Sequence, residues 1–533
     1  MRLKRKILIA LVMIVILAVL WPLMLHHRAM SQVEKYRKQL AAQGEKLTVA
    51  EIAPHPTADE QASAREALAA ISGLGHAISN FPPTMKMLAP GRMFLTSKEE
   101  SLPDPASSNL WPELQSQIER NSRKFDDLRA ALKGLAGQVN LDYSMGAMLP
   151  LPHLAIQKRA ALCLCAASLL ELHQGQLDQS CEDLKACLAL SRFLEHEPIM
   201  ISQLVRMAVL QIALGQTWEI LQHPGLQDKQ LAELQSSWES IDPMSAAQSS
   251  LEMERHTMTD MFKAMRENDP RNTSNGPGPP VKQPGVIDQV GEALADPHKA
   301  ADAAMDEGRF WLWKWQWSYE EELCTMQMLQ AAIDSVRQMK REGAFVPALK
   351  GFDAATGKLF KSHANASRRF MLTSGPSFSE TYHNFLRKLL VMEAERRLLV
   401  TAIALKRFQL AHQKYPEDLK ELTPTYLAVV PGDAMDGKPL RYHRKDDGTF
   451  LLYSVGEDGV DNGGNPVPLA PTSKNISWTE AFDIVWPMPA TPDEVEAYKK
   501  KALEQWNTKM QATKPRETPR SSSGAQASAP ANK

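Results

Sequence analysis

The sequence predicts a mainly α-helical protein with a single N-terminal transmembrane helix, a body of helical hairpins and a small C-terminal α+β module. Three observations carry that expectation. Ile7 to Leu25 is an uninterrupted apolar run behind Arg2, Lys4, Arg5 and Lys6. Between Leu154 and Ile241 apolar residues recur at helical spacing, with breakers at Gly175, Pro198 and Pro224. Beyond Tyr415 that period gives way to short strand-like runs around the turn Asp446-Asp447-Gly448.

At about 1.5 Å per residue the N-terminal run spans most of a hydrocarbon core of roughly 30 Å. It exceeds the apolar segment of a cleaved signal, about 7 to 15 residues, and no small-x-small site follows it. An uncleaved anchor is therefore expected. Trp21 near its outer end suits the headgroup level. Arg28, Lys35, Arg37 and Lys38 balance the cations in front of the run, but those in front are packed into six residues and are costly to translocate. The expectation is a bacterial inner-membrane protein with its N-terminus inside and its body in the periplasm.

Sixty-one Lys and Arg against 62 Asp and Glu leave a formal charge of -1, which disfavours nucleic acid as a partner. The 533 residues suffice for two or three domains. The chain divides into a tail and anchor (1–28), a stalk (29–56), a helical-hairpin domain (57–265), a Pro- and Gly-rich linker (266–300), a helical and loop region (301–384), a helix-plus-sheet module (385–489), and a short helix with a disordered tail (490–533). The hairpin on either side of Gly175 resembles one tetratricopeptide unit, with Pro198 after its second helix. A second copy at that repeat length is not visible, so a helical bundle is the safer expectation.

Cys163 and Cys187 lie twelve positions on either side of Gly175, which would bring them level across an antiparallel hairpin. A disulfide and buried free thiols are both compatible with that placement. Trp311, Trp313, Trp315 and Trp317 are read as two i,i+4 pairs on a helix, packed in the core, with a sugar-stacking or membrane-interface role as the alternative. The sequence carries no GxSxG elbow, P-loop, HExxH or dinucleotide fingerprint.

The segment Glu393 to Asn465 reads as one amphipathic helix followed by paired strands. Its ordered features are Ala402 to Phe408, Lys414-Tyr415-Pro416, Leu422, Tyr426-Leu427, Pro431, Asp433, Gly437, Pro439, Tyr442 and Tyr453-Ser454-Val455-Gly456 with Asp458-Gly459. In this order they resemble the C-terminal domain of the major pseudopilins of type II secretion. The chain departs from that family at its start, where Lys6-Ile7 replaces a Gly-Phe-type peptidase site and the apolar run lacks a glutamate. The overall layout looks like that of large bacterial membrane-anchored proteins with such a module at the end.

The resemblance implies a helix packed on a small sheet, with Ala402, Leu405, Phe408 and Leu451 at the contact. It also implies a calcium site in the last loop, for which Asp458, Asp461, Asn462 and Asn465 are the oxygen donors; plain turn formation is the alternative. The functional expectation is a membrane-anchored envelope protein, a non-enzymatic scaffold for protein partners. The alternatives are an envelope hydrolase with a dispersed site and a divergent type II secretion component.

Overall fold

The computed structural model describes residues 2–75, 77–99, 110–133, 137–267, 310–362, 376–469 and 477–513. The protein is mainly helical, with small sheets that draw most of their strands from the C-terminal part. The expected linker at 266–300 lies outside the described residues apart from its first two, which end a helix, and so does the tail beyond 513.

Helix α1, Arg2–Ala42, is continuous for 41 residues. Its apolar half exposes Met13, Leu20, Trp21, Leu23 and Met24. Its second half does not behave as the stalk expected at 29–56. Ala29, Val33 and Leu40 are buried, and Val33 and Leu40 pack with Met326, Tyr319 and Leu323 of a later helix. The polar sequence of this half conceals a narrow apolar stripe, and that stripe docks it onto the body.

The hairpin around Gly175 is formed by α2, His153–His173, and α3, Leu177–Phe193. Gly175 takes a left-handed φ of 76°, the conformation that lets the chain reverse there. Ser168 and Ser180 seal the helices by reciprocal hydroxyl-to-carbonyl bonds of 2.8 Å. By length and composition α2 could cross a membrane, yet 72% of its most apolar window is buried inside the protein. It is a core helix. Helix α4, Met200–Leu221, packs on both helices of the hairpin and α5, Asp228–Glu239, on α3; they carry the fully buried Trp218 and Trp238.

The disulfide alternative for Cys163 and Cys187 is corrected here. All five cysteines are free and buried. Cys187 faces Cys165, with their sulfurs 3.5 Å apart, while Cys163 points at the carbonyl of Leu74. The axial level was right, but two residues along a helix turn a side chain by more than half a revolution, toward a different neighbour.

Helix α6, Ala247–Glu267, lies against α7, Ser318–Glu342, which is followed by α8, Phe345–Ser362, and the long α9, Pro376–His412. The regions expected as separate domains share one core, which runs from Ile71 to Trp486. Strands β1, Met87–Ala89, and β2, Arg92–Met93, come early in the chain. Strands β3, Arg441–Arg444, and β4, Phe450–Val455, form an antiparallel hairpin, and β5, Asp483–Val485, pairs with β4. The final strand β6, Met488–Pro489, pairs in parallel with β2.

Ala402, Leu405 and Phe408 are buried on α9, as expected. Leu451 is only half-buried and is not their partner; the fully buried neighbour in the strand is Leu452. Alternation along β4 sends Leu451 and Tyr453 to the opposite face, where Gly464 covers them.

Candidate functional site

Two places gather polar side chains in a way that invites a functional reading. The first is the loop that follows β4. Asp461 accepts from the Gly463 amide at 3.0 Å and from the Tyr453 hydroxyl at 2.9 Å. Asp458 accepts from the Val460 amide, Asn465 from the Val467 amide, and Asn462 donates its side-chain amide to the Val460 carbonyl. The structure therefore brings the four expected calcium ligands into one loop while committing three of them as acceptors and the fourth as a donor in local turns. Gly464 has a φ of 77°, and a Cβ there would stand 2.8 Å from a Leu451 methyl, so the loop lies directly on β4.

Positive charge at this place comes from Arg441. Its guanidinium reaches Asp433 at 2.7 Å, Asp436 at 2.6 Å and Asp461 at 3.3 Å. Burial works against the Asp436 carboxylate, but Arg441 and the Lys438 amide hold it below the ordinary range. Burial prevails at Asp433 and pushes it up, although it also accepts from the Ser454 hydroxyl and from the amides of Met435 and Val455. Asp483, fully buried, accepts from the backbone amides of Asn462, Gly464 and Asn465 and thereby fixes the loop's path. Among the described residues no group of three or more His, Cys, Asp or Glu is placed to hold a metal ion. Of the four expected ligands Asp461 meets the Arg441 guanidinium, and the other three bond to backbone groups of their own loop.

Sequence reasoning missed Arg441 and Asp483. An acid between Phe482 and Ile484, inside an apolar strand, is the signal that could have drawn attention to Asp483, since such a side chain needs dedicated partners.

The second place surrounds the point where the apolar half of α1 ends. Glu322 of α7 has a fully buried side chain and receives Arg37 of α1 and Arg266 of α6, each at 2.5 Å. The guanidinium of Arg266 also lies 4.0 Å from the centre of the Tyr319 ring. Further along, Glu45 meets Arg337, Arg255 and the Gln330 amide, and these partners hold its carboxylate below the ordinary range despite burial. Two buried carboxylates, each shared by two arginines, thus fasten α1 to α6 and α7.

The four tryptophans divide at this place. Residues 313–317 form a π-type turn in which the Ser318 amide donates to the Trp313 carbonyl. Trp313 is buried, donates its indole N–H to Glu321 at 2.7 Å, and packs with Phe262, Phe310 and Trp317. Trp311, Leu312 and Trp315 remain outside, at 46%, 53% and 52% exposure. Core packing thus accounts for one pair of rings and leaves the other pair unexplained. The Trp315 ring stands 5.5 Å from that of His26 on α1, at the rim of a cleft of about 550 Å³ that also includes Lys263 and Lys314.

Comparison with protein-family models, with curated proteins and with solved structures returns no match.

Proposed function

We propose that the chain is a single-pass bacterial inner-membrane protein anchored by Ile7 to Leu25, and that its helical body serves outside the cytoplasm as a non-enzymatic scaffold for protein partners. The observation that carries this reading is the division of α1. Its first half exposes large apolar side chains, a costly arrangement in water and a favourable one in lipid. Its second half lays the buried stripe of Ala29, Val33 and Leu40 on the body and is held there by Glu322, with Glu45 held just past its end.

A body gripped in this way keeps a set orientation to its anchor, which is useful to a scaffold. An open cleft of about 720 Å³ between α5, α9 and residues 424–432 supports the partner-binding half of the reading. Its arginines Arg396 and Arg397 share one carboxylate, that of Glu393, while Val429 at its rim is 73% exposed. The order of α9, a 3-10 turn at Leu419–Leu422 and the β3–β4 hairpin supports assigning 385–489 as a pseudopilin-like module.

Fusions of alkaline phosphatase and of a cytoplasm-only reporter after Gln43 test the placement. Phosphatase activity with a silent cytoplasmic reporter is expected. The opposite pattern, or a mature N-terminus beyond Arg28, overturns it.

A further inference from the structure

We infer that Trp311, Leu312 and Trp315 form an interfacial platform that sits in the headgroup layer of the outer leaflet, with Lys263 and Lys314 reaching phospholipid phosphates. This rests on the reading of α1 as the membrane anchor.

The argument begins with register. Helix α7 and the turn before it run beside α1 in the same direction, since Trp315 meets His26, Glu322 meets Arg37, and Gln330 meets Glu45 just past the end of α1. Moving toward the N-terminus on either segment therefore moves toward the apolar half of α1. His26 is the first residue beyond the run that ends at Leu25. Four residues earlier on both segments, about 6 Å along the axis, Trp311 comes level with Trp21 and its neighbours. The exposed indoles of Trp21, Trp311 and Trp315 consequently share a narrow band at the end of the hydrophobic span.

Chemistry points the same way. Indoles combine a flat apolar face with an N–H donor and concentrate where hydrocarbon meets headgroups, while a neighbouring exposed leucine gains by leaving water. The Lys314 ammonium lies over the Trp311 ring, 5.2 Å from its centre, so a positive charge stands beside the exposed indole. Within the cleft Arg37 and Arg266 are taken by Glu322, and Glu34 is taken by Lys38. Lys263 and Lys314 have no ion pair among the described residues, and Glu267 is the remaining acid lining the cleft, which leaves a small positive excess. Insertion of the rings is thus the main contribution, and phosphate attraction the lesser one.

Spin labels on the full chain in vesicles test this, because the native cysteines are buried and a label at Leu312→Cys, Met24→Cys or the exposed hairpin control Lys445→Cys reports one place. Collision with oxygen relative to a water-soluble nickel chelate measures immersion. At positions 24 and 312 the ratio is expected to exceed that at 445 several-fold in phosphatidylcholine vesicles, and to rise modestly further at 312 when phosphatidylglycerol makes up half the lipid. Trp311→Ser with Trp315→Ser is expected to lower the ratio at 312 several-fold and leave 24 unchanged. A lipid-like 24 with a water-like 312 overturns the platform while the anchor stands, and points to a protein occupant for those rings. A water-like 24 removes the anchor reading and the platform with it.

Discussion

The junction of α1 with the body and the C-terminal hairpin solve the same problem, buried negative charge, in opposite ways. At the junction Glu322 and Glu45 are each shared by two arginines drawn from different helices, so the carboxylates act between elements. In the hairpin Asp433, Asp436 and Asp461 converge on the single guanidinium of Arg441, and Asp483 is held by loop amides, so the carboxylates act within one module. The junction also leaves apolar rings and lysines facing outward, whereas the hairpin spends its donors and acceptors on itself. The hairpin's charges are satisfied within one module; the junction's exposed indoles and lysines are the side chains that the proposed platform uses.

The sharpest way to break the comparison is Glu322→Ala. It strands the mostly buried Arg266 beside the partly exposed Arg37, and a loss of about 3 kcal/mol or more is expected in denaturant unfolding of the full chain. A loss below about 1 kcal/mol, the range of exposed ion pairs, means that the junction is not the lock described.

In the C-terminal module Phe408→Ala is expected to cost about 3 kcal/mol or more, since its ring is buried against Tyr426 and His412. Leu451→Ala, on the half-buried face under Gly464, is expected to cost clearly less. Equal losses in unfolding experiments reverse the assignment of the two faces.

Glu395, in the middle of α9, has neither solution available. It is fully buried, its one polar partner among the described residues is the Gln211 amide at 2.8 Å, and burial pushes its pKa up from 4.5 to about 8. The folded state therefore holds a proton that the unfolded state releases near pH 4.5. Stability from this group is complete below that value and falls as pH rises to about 8, at up to about 1.4 kcal/mol per unit. Glu395→Gln is expected to flatten this part of the stability profile; an unchanged slope assigns it to other groups.

The smallest effect is expected from calcium. With Arg441 among the carboxylates, millimolar calcium is expected to leave the melting temperature of the full chain unchanged, whereas a rise abolished by Asp458→Ala with Asp461→Ala places a cation in the loop.

Much of this architecture is legible in the residues. The Gly175 hairpin, the long helix through Phe408 and the β3–β4 turn follow from period and turn chemistry, which are local. The grip of the body on 29–42 is not legible, because Val33 and Leu40 look like isolated apolar residues on a charged helix until Met326 arrives from a distant part of the chain. The Cys165–Cys187 approach depended on helical phase at a contact between elements, which spacing from a turn does not specify. Arg441 was invisible for a related reason, and Asp483 showed only as an acid in an apolar strand, since a single charge acquires its role from the partners that folding brings to it.

The pairing of Arg92 with Met488 sets a schedule for the growing chain. Parallel strands so far apart in sequence cannot join until the chain has been made as far as Pro489, long after α1 has emerged. If the anchor is already seated by then, the early helices wait at the membrane with the edge of β2 open, and the last strand closes it. A chain cut short before β6 would leave that edge free to recruit a strand from another molecule.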